Sequence, residues 1–349
     1  MISNYSVVDL FCGVGGLTHG FVKEKFNVAA GVDLDSSCQY AFEANNNVQF
    51  VNKNIEDLSG NYLKNLYPKG SKRILIGCAP CQPFSLYAKS TKDQKVDGKW
   101  KLLYSFGRLI EKVNPSIVSM ENVPQLMTFK NGKVFKDFLK LLESQGYKAT
   151  YYVVNAQDYG VPQRRKRLLL FAAKRKPIEI IPATHKKNYV TVQDAIGSLR
   201  PIADGEIDGR DKLHRSRKME DLTKRRIEAT PPGGSWRDWP EDLISECHQK
   251  DSGKEFGSVY GRMKWDDVAP TLTTFCTGFS NGRFGHPDQH RAISLREAAI
   301  LQSFPKGYKF IDPKKDFCHA AIETHIGNAV PVTLGKVVAK SIKKSILNA

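Results

Sequence analysis

The chain has 349 residues, 41% of them hydrophobic and 26% charged, which supports one large folded domain or a large one with a smaller companion and excludes a disordered polymer. Lysine and arginine outnumber aspartate and glutamate 53 to 36, a net charge of +17, and such a field attracts polyanions, nucleic acid first among them. Seven dilute cysteines exclude a disulfide scaffold. MISNYSVVDLF is no secretory signal, and the longest apolar run, LLLFAA at 168–173, is too short to span a bilayer. A soluble, cytoplasmic protein with reduced thiols is expected.

YSVVDLF, from residue 5, reads as a first strand entering the glycine turn CGVGG and then a helix, so that backbone N–H groups can face a ligand that side chains would block. The glycines do not form GxGxxG, and a purely structural turn is the alternative. FNVAAGVD reads as the next strand and ends on Asp33, where a carboxylate can accept hydrogen bonds from ribose hydroxyls. Asp35 and Ser36 are better suited to cap the following helix. Together the two features suggest an adenosine-containing cofactor.

RILIGC leads into GCAPCQPFS, which holds Cys78 and Cys81. A redox pair or half a zinc site would need two exposed thiols or a second ligand pair, and the sequence offers no second CxxC and no neighbouring histidine. Cys78 reads as a buried strand end, and Cys81, on a stiff loop between Pro80 and Gln82-Pro83, as a nucleophile candidate. No metal is expected. Leu102, Leu103, Phe106, Leu109, Ile110 and Val113 recur at helical spacing. SIVSMENV then reads as a strand carrying Glu121, where partial burial would move a carboxyl toward the range of a general acid. The alternative is a carboxylate paired structurally with an arginine. Val134, Phe135, Phe138, Leu141 and Leu142 form another helical pattern, and YKATYYVVNA and RLLLFAAKR are the last strand candidates. This alternation predicts an α/β fold, a doubly wound sheet with helices on both faces and ligands at the carboxyl ends of its strands.

From residue 184 the pattern degrades into Pro, Gly and charge, with short strand-like pieces such as APTLTTF, and a second, smaller, loop-rich domain is expected. Trp236 and Trp239 suit either its core or a contact with nucleic acid. LREAAILQSF, 295–304, reads as a helix, and VTLGKVVAKSIKKSIL closes the chain as an amphipathic helix. Basic clusters stand at QRRKR, 163–167, and HRSRK, 214–218.

FCGVGG, PCQPFS, ENVPQL, QDYGVPQRRKRLLLF, SLREAAILQSFP and GNAVP stand in the order of the motifs of DNA (cytosine-5)-methyltransferases. The chain resembles that family over nearly its whole length. The resemblance implies the mixed, doubly wound sheet of S-adenosylmethionine-dependent methyltransferases with a small target-recognition domain. It divides the chain into a catalytic and cofactor-binding domain (1–183), a target-recognition domain including a hinge helix (184–318), and a C-terminal segment (319–349) returning to the first. It implies methyl transfer from S-adenosylmethionine to C5 of a cytosine in a specific duplex sequence. Because a base inside a duplex is out of reach, the base is flipped out of the stack.

By the same resemblance Cys81 matches the nucleophile that adds to C6, Glu121 the carboxyl that engages N3 and the exocyclic amine, and Arg165 and Arg167 groups near the target base. Phe11 matches the residue stacked on adenine, Gly13, Gly15, Gly16 and Leu17 the turn along the methionine end, and Asp33 the ribose acceptor. Pro80, Leu102, Asn328 and Val330 match further cofactor contacts. Where the family carries an acidic residue before an apolar one to read the adenine amine, this chain has Asn54 and Ile55. Gln82, Ser85, Lys89, Arg164 and Arg283 are the expected DNA contacts, with residues 86–99 a loop that closes over the DNA. Double-stranded DNA is the implied partner, with a restriction endonuclease acting on the same site as a further one. A stand-alone, monomeric bacterial or phage modification enzyme, nucleoid-associated in a bacterium, is expected. The rival readings are a transfer-RNA cytosine-5 methyltransferase and a DNA-binding regulator without catalysis.

Overall fold

The computed structural model describes residues 2–80, 98 and 100–348. Cys81, Gln82, Ser85 and Lys89 lie outside the described residues, as does the loop expected over 86–99 apart from Gly98. The chain divides into two compact units, one of Met1–Tyr159, Lys166–Thr184 and Val330–Ala349, the other of Gly160–Arg165 and His185–Ala329. Packing thus groups 160–165 and 319–329 with the second unit, whereas the resemblance set borders at 183/184 and 318/319.

In the first unit the elements run β1 (Tyr5–Leu10), α1 (Gly16–Lys23), β2 (Asn27–Asp33), α2 (Gln39–Asn46), β3 (Gln49–Asn52), α3 (Gly60–Asn65), β4 (Lys72–Gly77), α4 (Lys101–Val113), β5 (Ile117–Asn122), α5 (Lys133–Ser144), β6 (Lys148–Asn155) and β7 (Lys166–Ala173). The seven strands form one sheet in the order β3-β2-β1-β4-β5-β7-β6. β1 to β5 pair in parallel, whereas β7 runs against both β5 and β6. The sheet is therefore mixed, as the resemblance implied. β1 and β5 are buried along their full lengths, which is why they read as near-continuous apolar runs. Strand order reverses between β1 and β4, the position at which open α/β sheets generally bind ligands.

The helical patterns bury the faces their spacing implied. α4 buries Leu103, Phe106, Leu109, Ile110 and Val113, and α5 buries Val134, Phe135, Phe138 and Leu142. Phe106 stacks on Phe138 with centroids 5.9 Å apart. The two helices approach closely at Gly107, where a Cβ would stand 2.8 Å from Leu141 Cδ1. α4 stops at Asn114, held in the left-handed region at φ 50°, a conformation asparagine tolerates better than most residues.

The second unit holds α6 (Val192–Ile196), a hairpin of β8 (Ile207–Asp208) and β9 (Asp211–Arg215), α7 (Asp221–Glu228), α8 (Glu246–Gln249), α9 (Asp251–Lys254), α10 (Leu295–Leu301) and α11 (His319–Asn328). After it, α12 (Val332–Leu347) belongs to the first unit and spans the same residues as the amphipathic pattern. APTLTTF forms no strand. It contributes a single bridge, Ala269 to Gln163, because its backbone groups turn to side chains and loops instead of a ladder. Trp236 and Trp239 are buried with Ile227, Leu243, Phe279 and Ala292, so they pack the core of this unit. Ser294 caps α10 and Glu297 returns the bond to its backbone, the reciprocal arrangement that SLRE encodes. No helix among the described residues is long and apolar enough to cross a membrane.

Candidate active site

The turn after β1 is shaped by residues in the left-handed region. Phe11 has φ 58°, Gly13 φ 50° and Gly15 φ 87°. For a bulky residue such as Phe11 this is a rare conformation that the surroundings must impose, and its ring packs partly buried against the main core. Asp33, at the end of β2, accepts the Gly13 N–H on Oδ2 at 2.8 Å and the Asp35 N–H on Oδ1 at 2.9 Å. Burial raises its pKa while those two amides pull the other way. Asp35 caps the short helix that follows by accepting the Ser37 N–H. The structure thus brings Phe11 and Gly13, after β1, together with Asp33, at the end of the adjacent β2. Gly16 and Leu17, both buried, open α1 beside them.

Along the same edge Ile55 is 2% exposed in the main core, and Asn54 Oδ1 accepts the Glu56 N–H at 3.1 Å. The Asn54 amide is thereby already turned into its own loop. Arg108, on α4, grips that loop through the carbonyls of Ile55, Glu56 and Leu58 at 2.9–3.1 Å. Pro80 and Leu102 are half-buried. Val330 is buried in the first unit, and Asn328 is the exposed last residue of α11 in the second.

Glu121 sits near the end of β5 and is 4% exposed. Arg167, at the start of the reversed β7, places Nε 2.9 Å from Oε1. Cys78 donates its thiol to Oε2 at 2.8 Å. The carboxylate paired with an arginine, the alternative left open by the sequence, is therefore the arrangement found. Asn122 is buried beside it and donates Nδ2 to the Ala79 carbonyl at 3.0 Å, which fixes the segment leaving β4.

The remaining members of QRRKR diverge. Within the second unit Arg165 is buried and donates to the Leu272 carbonyl at 2.9 Å, to Gly327 at 3.2 Å and to Gln163 Oε1 at 3.2 Å. Arg164 is exposed and pairs with Asp267 at 3.0 Å. Arg283 is turned into its own unit, its Nη1 donating to the carbonyls of Gly233, Gly234 and Arg262.

The model of the C-5 cytosine-specific DNA methylase family matches residues 5–344. The chain belongs to this family. It is a DNA (cytosine-5)-methyltransferase. This methylase is 54% identical over 340 residues to the type II methylase M.HgiDII of Herpetosiphon aurantiacus, covering 97% of this chain and 95% of that one. It is 29% identical to the type II methyltransferase M1.HphI of Haemophilus parahaemolyticus, over 98% and 87% of the two chains. Among solved structures, the fold is similar to that of a prophage-encoded E. coli protein described as a DNA modification methyltransferase, with TM-score 0.73 and 23% identity over 99% of this chain and all of the other. It is also similar to the Entamoeba histolytica methyltransferase EhMeth, with TM-score 0.62 and 18% identity over 98% of each chain.

Three further residues stand beside the methylase's candidate site, two with a signal in the sequence and one without. Asp9 is an acid inside the apolar strand VVDL. Burial pushes its carboxyl up to about 7 against the pull of the Thr18 hydroxyl, which donates to it at 2.6 Å. Asn122 is the middle residue of ENV, and its side chain links β5 to the end of β4. Arg108 lies on the outer half of an amphipathic helix, and nothing in the spacing marks it as a clamp.

Proposed function

We propose that this methylase is a type II modification enzyme that methylates C5 of a flipped-out cytosine through a covalent bond to Cys81. The observation that carries the reading is Glu121. It is a buried carboxyl at the ligand edge of the sheet, held by Arg167, next to a segment that Asn122 fixes and that leads directly to Cys81. The Cys81 thiolate adds to C6, the electron pair moves toward N3, and Glu121, which takes up a proton as the base enters, passes it to N3, so the charge raised by the attack is neutralised. C5 then takes the methyl group and loses its proton to a base, the C5–C6 double bond re-forms as the C6–S bond breaks to release the thiolate, and N3 returns its proton to Glu121.

Family membership implies S-adenosylmethionine as the methyl donor, and the residues present fit it. A Cβ at Gly13 would meet nothing within 4 Å, so the turn leaves room for a ligand against its backbone, and Asp33 offers a carboxylate to ribose hydroxyls. When bound, this cofactor supplies an electrophilic methyl group. Phe11 would lie against adenine and Gly13, Gly15, Gly16 and Leu17 along the methionine end, with Asn54, Ile55, Pro80, Leu102, Asn328 and Val330 as further contacts. Gln82, Ser85, Lys89 and Arg164 serve the duplex, and the second unit reads its sequence. The names of the relatives support a type II system, in which the partner is an endonuclease cutting the same site.

The test is a duplex carrying 5-fluorocytosine, which cannot lose its C5 substituent. The wild-type protein is expected to form an adduct stable to denaturation that maps to Cys81, and Cys81→Ser none. An adduct at another residue, or full methyl transfer by Cys81→Ser, would overturn the proposal.

A further inference from the structure

Arg167 grips the Glu121 carboxyl at one point only. Its Nε meets Oε1 at 2.9 Å, while its Nη1 is spent on the Lys166 carbonyl at 2.7 Å, so the two-pronged grip that would lock a carboxylate plane is not made. The terminal torsion of glutamate is broad and soft. Oε1 has no hydrogen-bond partner among the described residues, since the Arg167 contact is an ion pair without hydrogen-bond alignment; that contact leaves the carboxyl plane free to turn, and a proton delivered to a ring nitrogen needs a defined direction. The thiol of Cys78 stands on that second oxygen, 2.8 Å from Oε2.

The fold fixes the direction of this thiol from both sides. β4 and β5 pair up to Gly77 opposite Met120, so the next residues along, Cys78 and Glu121, are side by side. The Cys78 N–H donates to the Leu10 carbonyl at 3.3 Å, and the following residue, Ala79, is held by Asn122. We infer that Cys78 is a positioning residue of the methylase, its S–H holding Glu121 Oε2 so that the carboxyl plane is set before the base arrives. This rests on the reading of Glu121 as the group that engages the cytosine. The sulfur takes no part in bond making, and its role is separate from that of Cys81.

Cys78→Ala removes the donor, and Cys78→Ser replaces it with a hydroxyl that still reaches Oε2. In Cys78→Ala the kcat for methyl transfer is expected to fall about tenfold, as for losing a hydrogen bond to a charged group, with KM for DNA and for S-adenosylmethionine within about twofold and an unchanged thermal midpoint. Cys78→Ser should recover most of the loss. Wild-type kcat in Cys78→Ala overturns the inference, as does an equal loss in both variants with a lowered midpoint. An infrared difference spectrum of wild type against Cys78→Ser gives a second reading that does not depend on the alanine variant: a hydrogen-bonded S–H stretch is expected, and a free-thiol band overturns it. Glu121→Gln separates the two levels. If Glu121→Gln is inactive while Cys78→Ala has wild-type kcat, only the role of Cys78 fails. If Glu121→Gln keeps full activity, the reading of Glu121 beneath it fails.

Discussion

Gly20 and Gly335 meet backbone to backbone: a Cβ added to Gly20 would stand 2.4 Å from the Gly335 carbonyl carbon. The obstruction is main chain, so no rotamer change relieves it. α1 starts at the end of the glycine turn, and its crossing with α12 therefore holds that turn in place. Gly20→Ala is expected to destabilise the protein by roughly 3 kcal/mol, the upper end for overpacking, and to raise KM for S-adenosylmethionine. Chemical denaturation and initial-rate kinetics measure both, and a variant with unchanged values would show that the helices separate freely.

Removing Arg167 leaves the Glu121 carboxylate buried without its counter-ion. Arg167→Ala should lose roughly 3 kcal/mol of stability and about a hundredfold in kcat. Adding Glu121→Gln to Arg167→Ala should restore stability but not activity. Equal stability of the single and double variants would mean that the pair does not couple.

Glu297 is held in the second unit by Arg291, with two N···O distances of 2.7 Å and both side chains almost completely buried. Burial alone would lift the carboxyl. The arginine pair overcomes it and holds the group down at about 2. Its stabilisation is therefore complete above the ordinary carboxylate pKa and fades as pH falls toward 2. Glu297→Gln at neutral pH should cost roughly 3–5 kcal/mol, because Arg291 would remain buried alone. A change in unfolding free energy below about 1 kcal/mol would contradict the pairing.

His286 supplies a second acid-sensitive element. Its Nδ1 accepts the N–H groups of Asp288 and Gln289 at 3.2 and 3.0 Å, which requires an unprotonated nitrogen. Burial, helped by Arg291 and Arg262 and opposed by Glu297 and Asp288, pushes its pKa down to about 4. The folded state therefore binds the proton less readily than the unfolded one. The stabilisation is whole above the ordinary histidine pKa and is lost as pH falls through 6.5 toward 4. Roughly 2 kcal/mol should be gone by pH 5. Three of the four tryptophans, Trp236, Trp239 and Trp265, lie in this unit, so denaturation followed by their fluorescence at pH 7 and pH 5 reads the loss directly. His286→Gln should flatten it.

Asp33→Asn tests the ribose assignment. Asparagine keeps one acceptor oxygen and turns an NH2 group toward the other of the two N–H groups that Asp33 accepts, so a stability loss of roughly 1–3 kcal/mol is expected as well. KM for S-adenosylmethionine is expected to rise at least about tenfold, the scale of one charge-assisted hydrogen bond, with KM for DNA unchanged. An unaltered cofactor KM would remove Asp33 from the site.

Much of the fold was legible: burial on both faces leaves strands such as β1 and β5 as apolar runs, and β6, a largely exposed edge strand, showed instead through its β-branched and aromatic residues. β3 was not legible. QFVN buries only its two central residues and stands among asparagines that read as loop. The β8–β9 hairpin turns through Asp-Gly at 208–209, a local signal that was present but unread. Nothing in the spacing of RLLLFAAKR shows that it runs backwards, since direction is set by tertiary pairing. At the candidate site, Glu121, Asp33 and the glycine turn were proposed from position and residue type. The carbonyl contacts of Arg165 and Arg283 were not, because the sequence offers two basic residues with no sign of which backbone oxygens they satisfy.

The reversal of β7 has a further consequence. A parallel strand would bring its end to the edge where β5 ends, but an antiparallel one brings its beginning, and so Arg167, its second residue, arrives beside a carboxyl 46 positions earlier in the chain. Alignment of β7 against β5 therefore acts as a gauge. A slip of one residue would turn the guanidinium to the opposite face of the sheet, and a slip of two would carry it roughly 7 Å along the strand, leaving Glu121 without its cation although no residue had changed.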